Sequence, residues 1–273
     1  MPGTYDPSTM PNDLEFVKYE KKGHVAYITI NRPEVRNALH TYTYRELRRV
    51  WLDMQRDPEV RVGILTGEGK AFCAGRDIKF LAEYQAKGQQ TPHEDPANPA
   101  YYWGGGGMPY DANLDKPLIA AINGFAVGVG LTLVMQCQLR VMADDAWLGD
   151  QHTNVGRLGS PQAKFLALPR ATAAFLTLCN GRLTAQDCYS QGIVNKVAPQ
   201  SEIMAKAEEL AAMVVAGSPH AVQAATRVYR ISSLNPALDE YTRQLDRDVA
   251  ATDDSKEGSR AFVERRAPVW QNK

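Results

Sequence analysis

Residues 116–135, Lys116-Pro-Leu-Ile-Ala-Ala-Ile-Asn-Gly-Phe-Ala-Val-Gly-Val-Gly-Leu-Thr-Leu-Val-Met135, join two kinds of secondary structure across one turn. Leu118 to Ile122 is an uncharged, β-rich run opened by Pro117. Such a run, bounded by turn signals, reads as a fully buried strand. Asn123-Gly124 is a turn signal. Gly128 and Gly130 bring bare backbone close to a neighbour just where Leu131 to Met135 begin a helix. The first N–H groups of a helix have no intrahelical acceptor and favour negative charge. In an enzyme that charge can be one that develops only in the transition state.

Three other readings compete for this stretch. Leu118 to Met135 carries no charge, as a membrane span would, but its glycines, the internal Asn-Gly and the β-like first half argue against one. A dinucleotide fingerprint is excluded, because Gly128-Val-Gly130-Leu-Thr-Leu133 lacks the third glycine. An ordinary buried strand-loop-helix without chemistry stays open on this segment alone.

Outward from it, strands and helices alternate. Phe16 to Tyr19 and His24 to Ile30 predict a hairpin around Lys21-Lys22-Gly23. Thr41 to Gln55 carries Tyr44, Leu47, Val50, Trp51 and Met54 at helical spacing. Val60 to Thr66 predicts a strand, Phe72 to Asp77 a tight loop and Ile78 to Ala86 a helix. Residues 87–115 predict a long lid-like loop, with Tyr101-Tyr-Trp103 before four glycines. Its aromatic cluster suits covering an apolar substrate or packing on a neighbour. Leu139 to Met142, Trp147 to Gly149 and Gly192 to Val197 predict strands. Ala163 to Leu168, Ala171 to Leu178 and a helix capped by Thr184 through Ser190 lie between the last two. Beyond Gln200 the pattern is helical: Glu202 to Ala216, Pro219 to Ser232 and Pro236 to Thr252. The chain thus divides into a flexible start (1–15), an α/β core (16–199) and a helical C-terminal module (200–273) of the kind that serves assembly.

At 273 residues the chain can bury a sizeable core. Its 31 basic and 31 acidic residues cancel, so no global field draws it to nucleic acid or an anionic membrane. An anionic ligand must be held by local groups. The four cysteines show no metal spacing; Cys73, Cys137 and Cys179 have apolar neighbours and read as reduced core thiols of a cytoplasmic protein. Residues 1–12 have no basic and apolar signal regions.

Six segments, in order, resemble the crotonase (enoyl-CoA hydratase/isomerase) family. They are Ile28-Thr-Ile-Asn-Arg-Pro-Glu-Val-Arg-Asn-Ala-Leu39, Val62-Gly-Ile-Leu-Thr-Gly67, Lys70-Ala-Phe-Cys-Ala-Gly-Arg-Asp-Ile78, Lys116 to Gly124, Leu183-Thr-Ala-Gln-Asp187 with Gly192-Ile-Val194, and Asp254 to Glu264. The resemblance implies an α/β fold: a spiral of ββα units making two nearly perpendicular sheets. It implies a C-terminal helical module that builds a homotrimer or dimer of trimers. The implied substrate is an acyl-CoA thioester; no separate cofactor and no metal are implied, since coenzyme A arrives with the substrate. The family's shared chemistry stabilises a thioester enolate with two backbone N–H groups, which here fall on Arg76 and Val129. Val129 departs from the usual glycine, and its β-branched side chain disfavours positive φ. For coenzyme A the resemblance points to Glu34, Val35, Arg36 and Ala38, to Ala74, Asp77 and Ile78, and to Phe262 and Arg265 on a helix that can belong to a neighbouring subunit.

The pattern breaks at the two glutamates with which a hydratase of this family positions water and moves protons. Those positions hold Thr132 and His152. Thr132 can hydrogen-bond water or substrate but is no base near neutrality; it also suits a plain hydroxyl on the first helical turn. His152 offers an acid/base group suited to neutral pH, and Asp150 would orient it if Asp150 to His152 were extended. Its structural alternative is a histidine that holds a loop. Ser160 stands where relatives that hydrolyse or dehalogenate carry an aspartate, which leaves a Ser160–His152 dyad as a further candidate. Three activities follow: hydration, dehydration or double-bond shift with His152 as proton carrier; decarboxylation or C–C or thioester hydrolysis led by the oxyanion site; or silent acyl-CoA binding.

Overall fold

A computed structural model describes residues 6, 10–87, 107–159, 168–233 and 236–271. Ser160, the expected helix at 163–168 apart from Leu168, Tyr101 to Trp103 and most of the 87–115 loop therefore lie outside the described residues.

The chain winds as repeated strand-strand-helix turns. β1 (Val17–Lys22) and β2 (Val25–Ile30) form an antiparallel hairpin, followed by α1 (Thr41–Arg56). β3 (Val62–Gly67), β4 (Ala71–Cys73) and α2 (Ile78–Ala86) make the next turn. β5 (Leu118–Ile122), β6 (Phe125–Val127) and α3 (Val129–Gln136) make the third. β7 (Leu139–Ala143), β8 (Trp147–Gly149) and α4 (Arg170–Leu178) follow, then β9 (Arg182–Thr184), α5 (Ala185–Ser190) and β10 (Lys196–Ala198). In the middle turns the first strand joins a six-stranded sheet, β1-β2-β3-β5-β7-β10, and the second a four-stranded sheet, β4-β6-β8-β9. Every pairing is parallel except β1–β2 and β8–β9. Four helices close the chain: α6 (Ile203–Val215), α7 (Pro219–Ser232), α8 (Pro236–Ala250) and α9 (Asp253–Glu264).

Local chemistry explains the winding. Central parallel strands are covered on both faces and so read as unbroken apolar runs; β5 is buried at all five positions. α1 buries Tyr44, Leu47, Val50, Trp51 and Met54 along one stripe, each worth about 1.5–3 kcal/mol of transfer from water. Two buried amides tie one sheet to the other. Asn37, at φ 59°, donates to Ala71 O at 2.7 Å. Asn123 accepts the Gly67 N–H at 3.2 Å and donates to Gly69 O at 2.8 Å.

Several expectations need correction. The hairpin turns at Gly23-His24, with Lys21 and Lys22 still in β1. β4 runs from Ala71 into the first two residues of the expected 72–77 loop. The expected strand at 192–197 begins only at Lys196, because Gly192 at φ 69° starts a turn whose apolar residues, Ile193 and Val194, are buried without pairing. Cys179 is exposed; Cys73, Cys137 and Cys188 are the buried thiols. Among the described residues no helix is long and apolar enough to cross a membrane.

Candidate active site

The turn between β6 and α3 is built around Gly128, whose φ 57°, ψ −116° no β-carbon-bearing residue adopts comfortably. The positive φ that a branched side chain disfavours thus falls one residue before Val129. Val129 opens α3, so its N–H has no acceptor within the helix. The four-stranded sheet brings the second strand-to-helix turn, Ala74-Gly75-Arg76, alongside. A Cβ at Gly75, itself at φ 94°, would stand 2.9 Å from Val127 O and 3.8 Å from Val129 N. The Gly75–Arg76 peptide is held from its other side by Leu39, whose N–H donates to Gly75 O at 2.7 Å and whose carbonyl accepts the Asp77 N–H at 2.9 Å. Gly130 lets α3 close on β4: a Cβ there would lie 2.4 Å from Cys73 O.

His152 comes to the same turn. A Cβ at Gly128 would stand 3.3 Å from its Cε1 and 3.7 Å from its Nε2, and one at Gly159 would lie 2.4 Å from its Nδ1. The ring therefore lies against two bare glycine backbones. Its Nδ1 hydrogen-bonds Asp150 Oδ1, and Asp150 is only 1 % exposed. That partner favours the tautomer with the proton on Nδ1 and an accepting Nε2; Cε1 and then Nε2 are the ring atoms nearest Gly128. The route differs from the expected one. His152 is helical, φ −64°, ψ −42°, so the two side chains meet through a turn rather than along an extended strand, and Asp150 Oδ1 also accepts the His152 N–H at 3.4 Å.

Thr132, 6 % exposed, donates its hydroxyl to Gly128 O at 3.3 Å, and its N–H donates to the same carbonyl at 3.1 Å. Its side chain braces the turn. Nearby, burial pushes the Tyr44 phenol well above its ordinary range, with the Arg76 guanidinium opposing. Among the described residues no group of three or more His, Cys, Asp or Glu side chains converges as a metal cage would.

With this geometry the relatives are informative. The sequence profile of the enoyl-CoA hydratase/isomerase family matches residues 20–273. The chain belongs to that family. It is 34 % identical to enoyl-CoA hydratase EchA19 of Mycobacterium tuberculosis, covering 93 % of this chain and 96 % of the relative. It is 33 % identical to (E)-benzylidenesuccinyl-CoA hydratase of Thauera aromatica, covering 93 % and 98 %. A crystal structure of carnitinyl-CoA hydratase from Mycobacterium avium superposes with TM-score 0.81 at 31 % identity, covering 94 % of this chain and 99 % of that one. The fold is the crotonase fold, and the chain is an enzyme of the enoyl-CoA hydratase/isomerase family.

The residues that the family resemblance assigns to coenzyme A fall in two groups. Glu34 and Arg36 are exposed and Val35 half-buried on a 3-10 turn, and Ala38 is buried. This segment pairs with the other group through Ala74 N–H to Arg36 O at 3.0 Å. Asp77 has its carboxylate engaged already: Oδ2 accepts Arg32 Nη1 at 3.0 Å and Oδ1 accepts the Phe80 N–H at 3.1 Å. Ile78 opens α2 half-buried. Phe262 is exposed on α9 and Arg265 caps its end at φ 57°; α9 packs on α2 of the same chain. Arg32, Gly159 and the buried amides Asn37 and Asn123 also shape the site, beyond the residues expected from the sequence. Arg32 stands in Asn31-Arg32-Pro33, where β2 ends, and nothing local marks Gly159.

Proposed function

We propose that this chain adds water to, or removes it from, the double bond of an α,β-unsaturated acyl-CoA. His152 is the proton carrier, and the N–H groups of Arg76 and Val129 form the oxyanion hole. In the hydration direction His152 Nε2 takes a proton from water as the oxygen bonds to C3. The electron pair moves onto the thioester oxygen, and the enolate is held by two N–H donors, each worth about 3 kcal/mol in a dry, fixed site. The protonated ring then returns its proton to C2, which restores the thioester and regenerates neutral His152. Asp150 fixes the ring and stabilises its charged form, the part a buried carboxylate plays behind a catalytic histidine. One carrier at the position of one family glutamate replaces a carboxylate pair, and Thr132 serves the turn.

The reading rests on one observation: an Asp150-held imidazole lies against Gly128, the residue before Val129, with Cε1 and then Nε2 as its nearest ring atoms. The relatives act on an enoyl, a benzylidenesuccinyl and a carnitinyl thioester by name, so family membership leaves the acyl group open. The substrate is best sought among branched and aryl-substituted unsaturated thioesters as well as straight chains. We further propose a cytoplasmic homotrimer or dimer of trimers.

A mass-spectrometric screen of saturated and unsaturated acyl-CoA thioesters, run with parent protein and His152→Ala, tests the reaction. The parent is expected to shift one thioester by the mass of water, and His152→Ala to lose about 100- to 10,000-fold in rate. Equal turnover by the two proteins would remove His152 from the mechanism.

A further inference from the structure

The loop that carries His152 is gripped by helices that begin more than eighty residues later, and the grip bears on the ring itself. Within the loop, His152 O accepts the N–H groups of Val155 at 3.0 Å and Arg157 at 2.9 Å. Asp246 on α8, 6 % exposed, takes both of the next handles. Its Oδ2 accepts Arg157 Nη2 at 2.9 Å and its Oδ1 accepts the Leu158 N–H at 3.3 Å. The next residue is Gly159, where a Cβ would lie 2.4 Å from His152 Nδ1. One buried carboxylate thus holds the residue whose N–H fixes the His152 carbonyl and the residue just before the glycine that walls the ring.

α9 closes on the same loop backbone to backbone. A Cβ at Gly156 would lie 2.7 Å from Ser255 Cα, and one at Gly258 would lie 2.5 Å from the carbonyl carbon of Val155. Ring placement matters steeply for proton transfer, and a loop is the least rigid place to keep a catalytic group.

We propose that Asp246 is a positioning residue for the proton transfer at His152, and that the α8–α9 pair, through Asp246 and Gly258, sets the alignment of the catalytic ring. This rests on His152 being the proton carrier. Both residues act through the His152 loop, so the expected signature is a loss in kcat and not in binding.

The experiment compares Asp246→Ala, Asp246→Asn, Gly258→Ala and His152→Ala with the parent full-length protein. It records kcat, KM, affinity for a saturated acyl-CoA that cannot be hydrated, thermal denaturation, and amide hydrogen exchange over residues 151–159. Asp246→Ala and Gly258→Ala are expected to lose about ten- to a hundredfold in kcat, with KM and saturated-thioester affinity within about threefold of the parent. Exchange over 151–159 should rise in both. Asp246→Asn keeps an acceptor for the Leu158 N–H and should fall less than Asp246→Ala. If Asp246→Ala does not fold, Arg157→Met, which leaves Asp246 on Leu158, is judged by the same criteria. A folded Asp246→Ala with parental kcat beside an inactive His152→Ala would overturn the positioning role alone. A fully active His152→Ala would overturn the proton-carrier reading, and with it the cargo of the clamp.

Discussion

His40 caps α1 by accepting the Thr43 N–H at 3.2 Å on its Nδ1, and the Thr43 hydroxyl lies 2.7 Å from the same nitrogen. Phe16, Tyr42 and Phe80 surround the ring edge-on, with centroids at 4.5, 5.4 and 5.0 Å. Burial, and then the nearby Arg32 charge, pull its pKa from 6.5 down to about 4. The folded protein therefore binds this proton less readily than the unfolded chain. Stability from neutral His40 is complete above the unfolded value of 6.5 and is lost as pH falls toward 4. Its full extent is roughly 3 kcal/mol. Urea denaturation at pH 7 and pH 4.5 should show the loss, and His40→Asn, which keeps a cap acceptor but cannot titrate, should flatten it. At the active site, residue-scale strain sits at Gly128. Gly128→Ala would need φ near 57° and would push its Cβ to 3.3 Å from the His152 ring. It should cost stability by about 1–3 kcal/mol and turnover by more than tenfold, a cost kinetics and thermal denaturation separate. Parental turnover in a folded Gly128→Ala would remove this turn from the mechanism.

The element on which the site depends most is α3, whose two ends are fixed by different chemistry. At its start, glycines admit a second backbone and a ring. At its end, Arg140 donates from Nε to Val134 O at 2.9 Å, from Nη2 to Met135 O at 3.1 Å and from Nη1 to Ile193 O at 3.0 Å. A cation at a helix C-terminus satisfies the orphan carbonyls and favours the dipole. Arg140→Met should lower stability by about 3 kcal/mol, since buried carbonyls are left without donors, and urea denaturation at neutral pH checks it. How legible such elements are follows from how local their causes are. α2, β8, α5 and α7 were readable to the residue, because apolar period, Pro at a start and a capping box such as Thr184 with Asp187 act within a few residues. β4 and β6 were not, since they owe their existence to each other across the small sheet rather than to a pattern of their own. The two proposed oxyanion positions followed from the family resemblance, and the His152–Asp150 pair from a separation of two residues. The walls of that ring did not: Gly159 is a glycine like many, and Asp246 meets Leu158 from 88 residues away.

At the scale of the whole molecule, the terminal helices carry two unlike faces. α7 turns Thr226 and Arg230 inward, where Arg230 Nη2 pairs with the buried Asp115 at 2.9 Å, while Val228, Tyr229 and Ile231 are 66 %, 63 % and 56 % exposed. Met213 on α6 and Tyr241 on α8 are likewise exposed, at 70 % and 62 %. Large apolar side chains left exposed in number on a group of helices mark an interaction surface rather than a solvated one. Their concentration on α6 to α8 supports the proposed self-association through this part of the chain. The inner side of α8 and α9 holds the His152 loop, so assembly and catalysis would share the same helices. Sedimentation velocity should find the parent as a trimer or hexamer. Tyr229→Glu combined with Ile231→Glu should shift it toward monomer, because a charge desolvated in an apolar contact costs several kcal/mol. The same double variant should lose turnover at dilution while its residual assembled fraction keeps parental KM, since the substitutions lie on the outer face of α7 and leave Asp246 and Gly258 in place. A double variant that sediments as the parent does would remove this face from the interface.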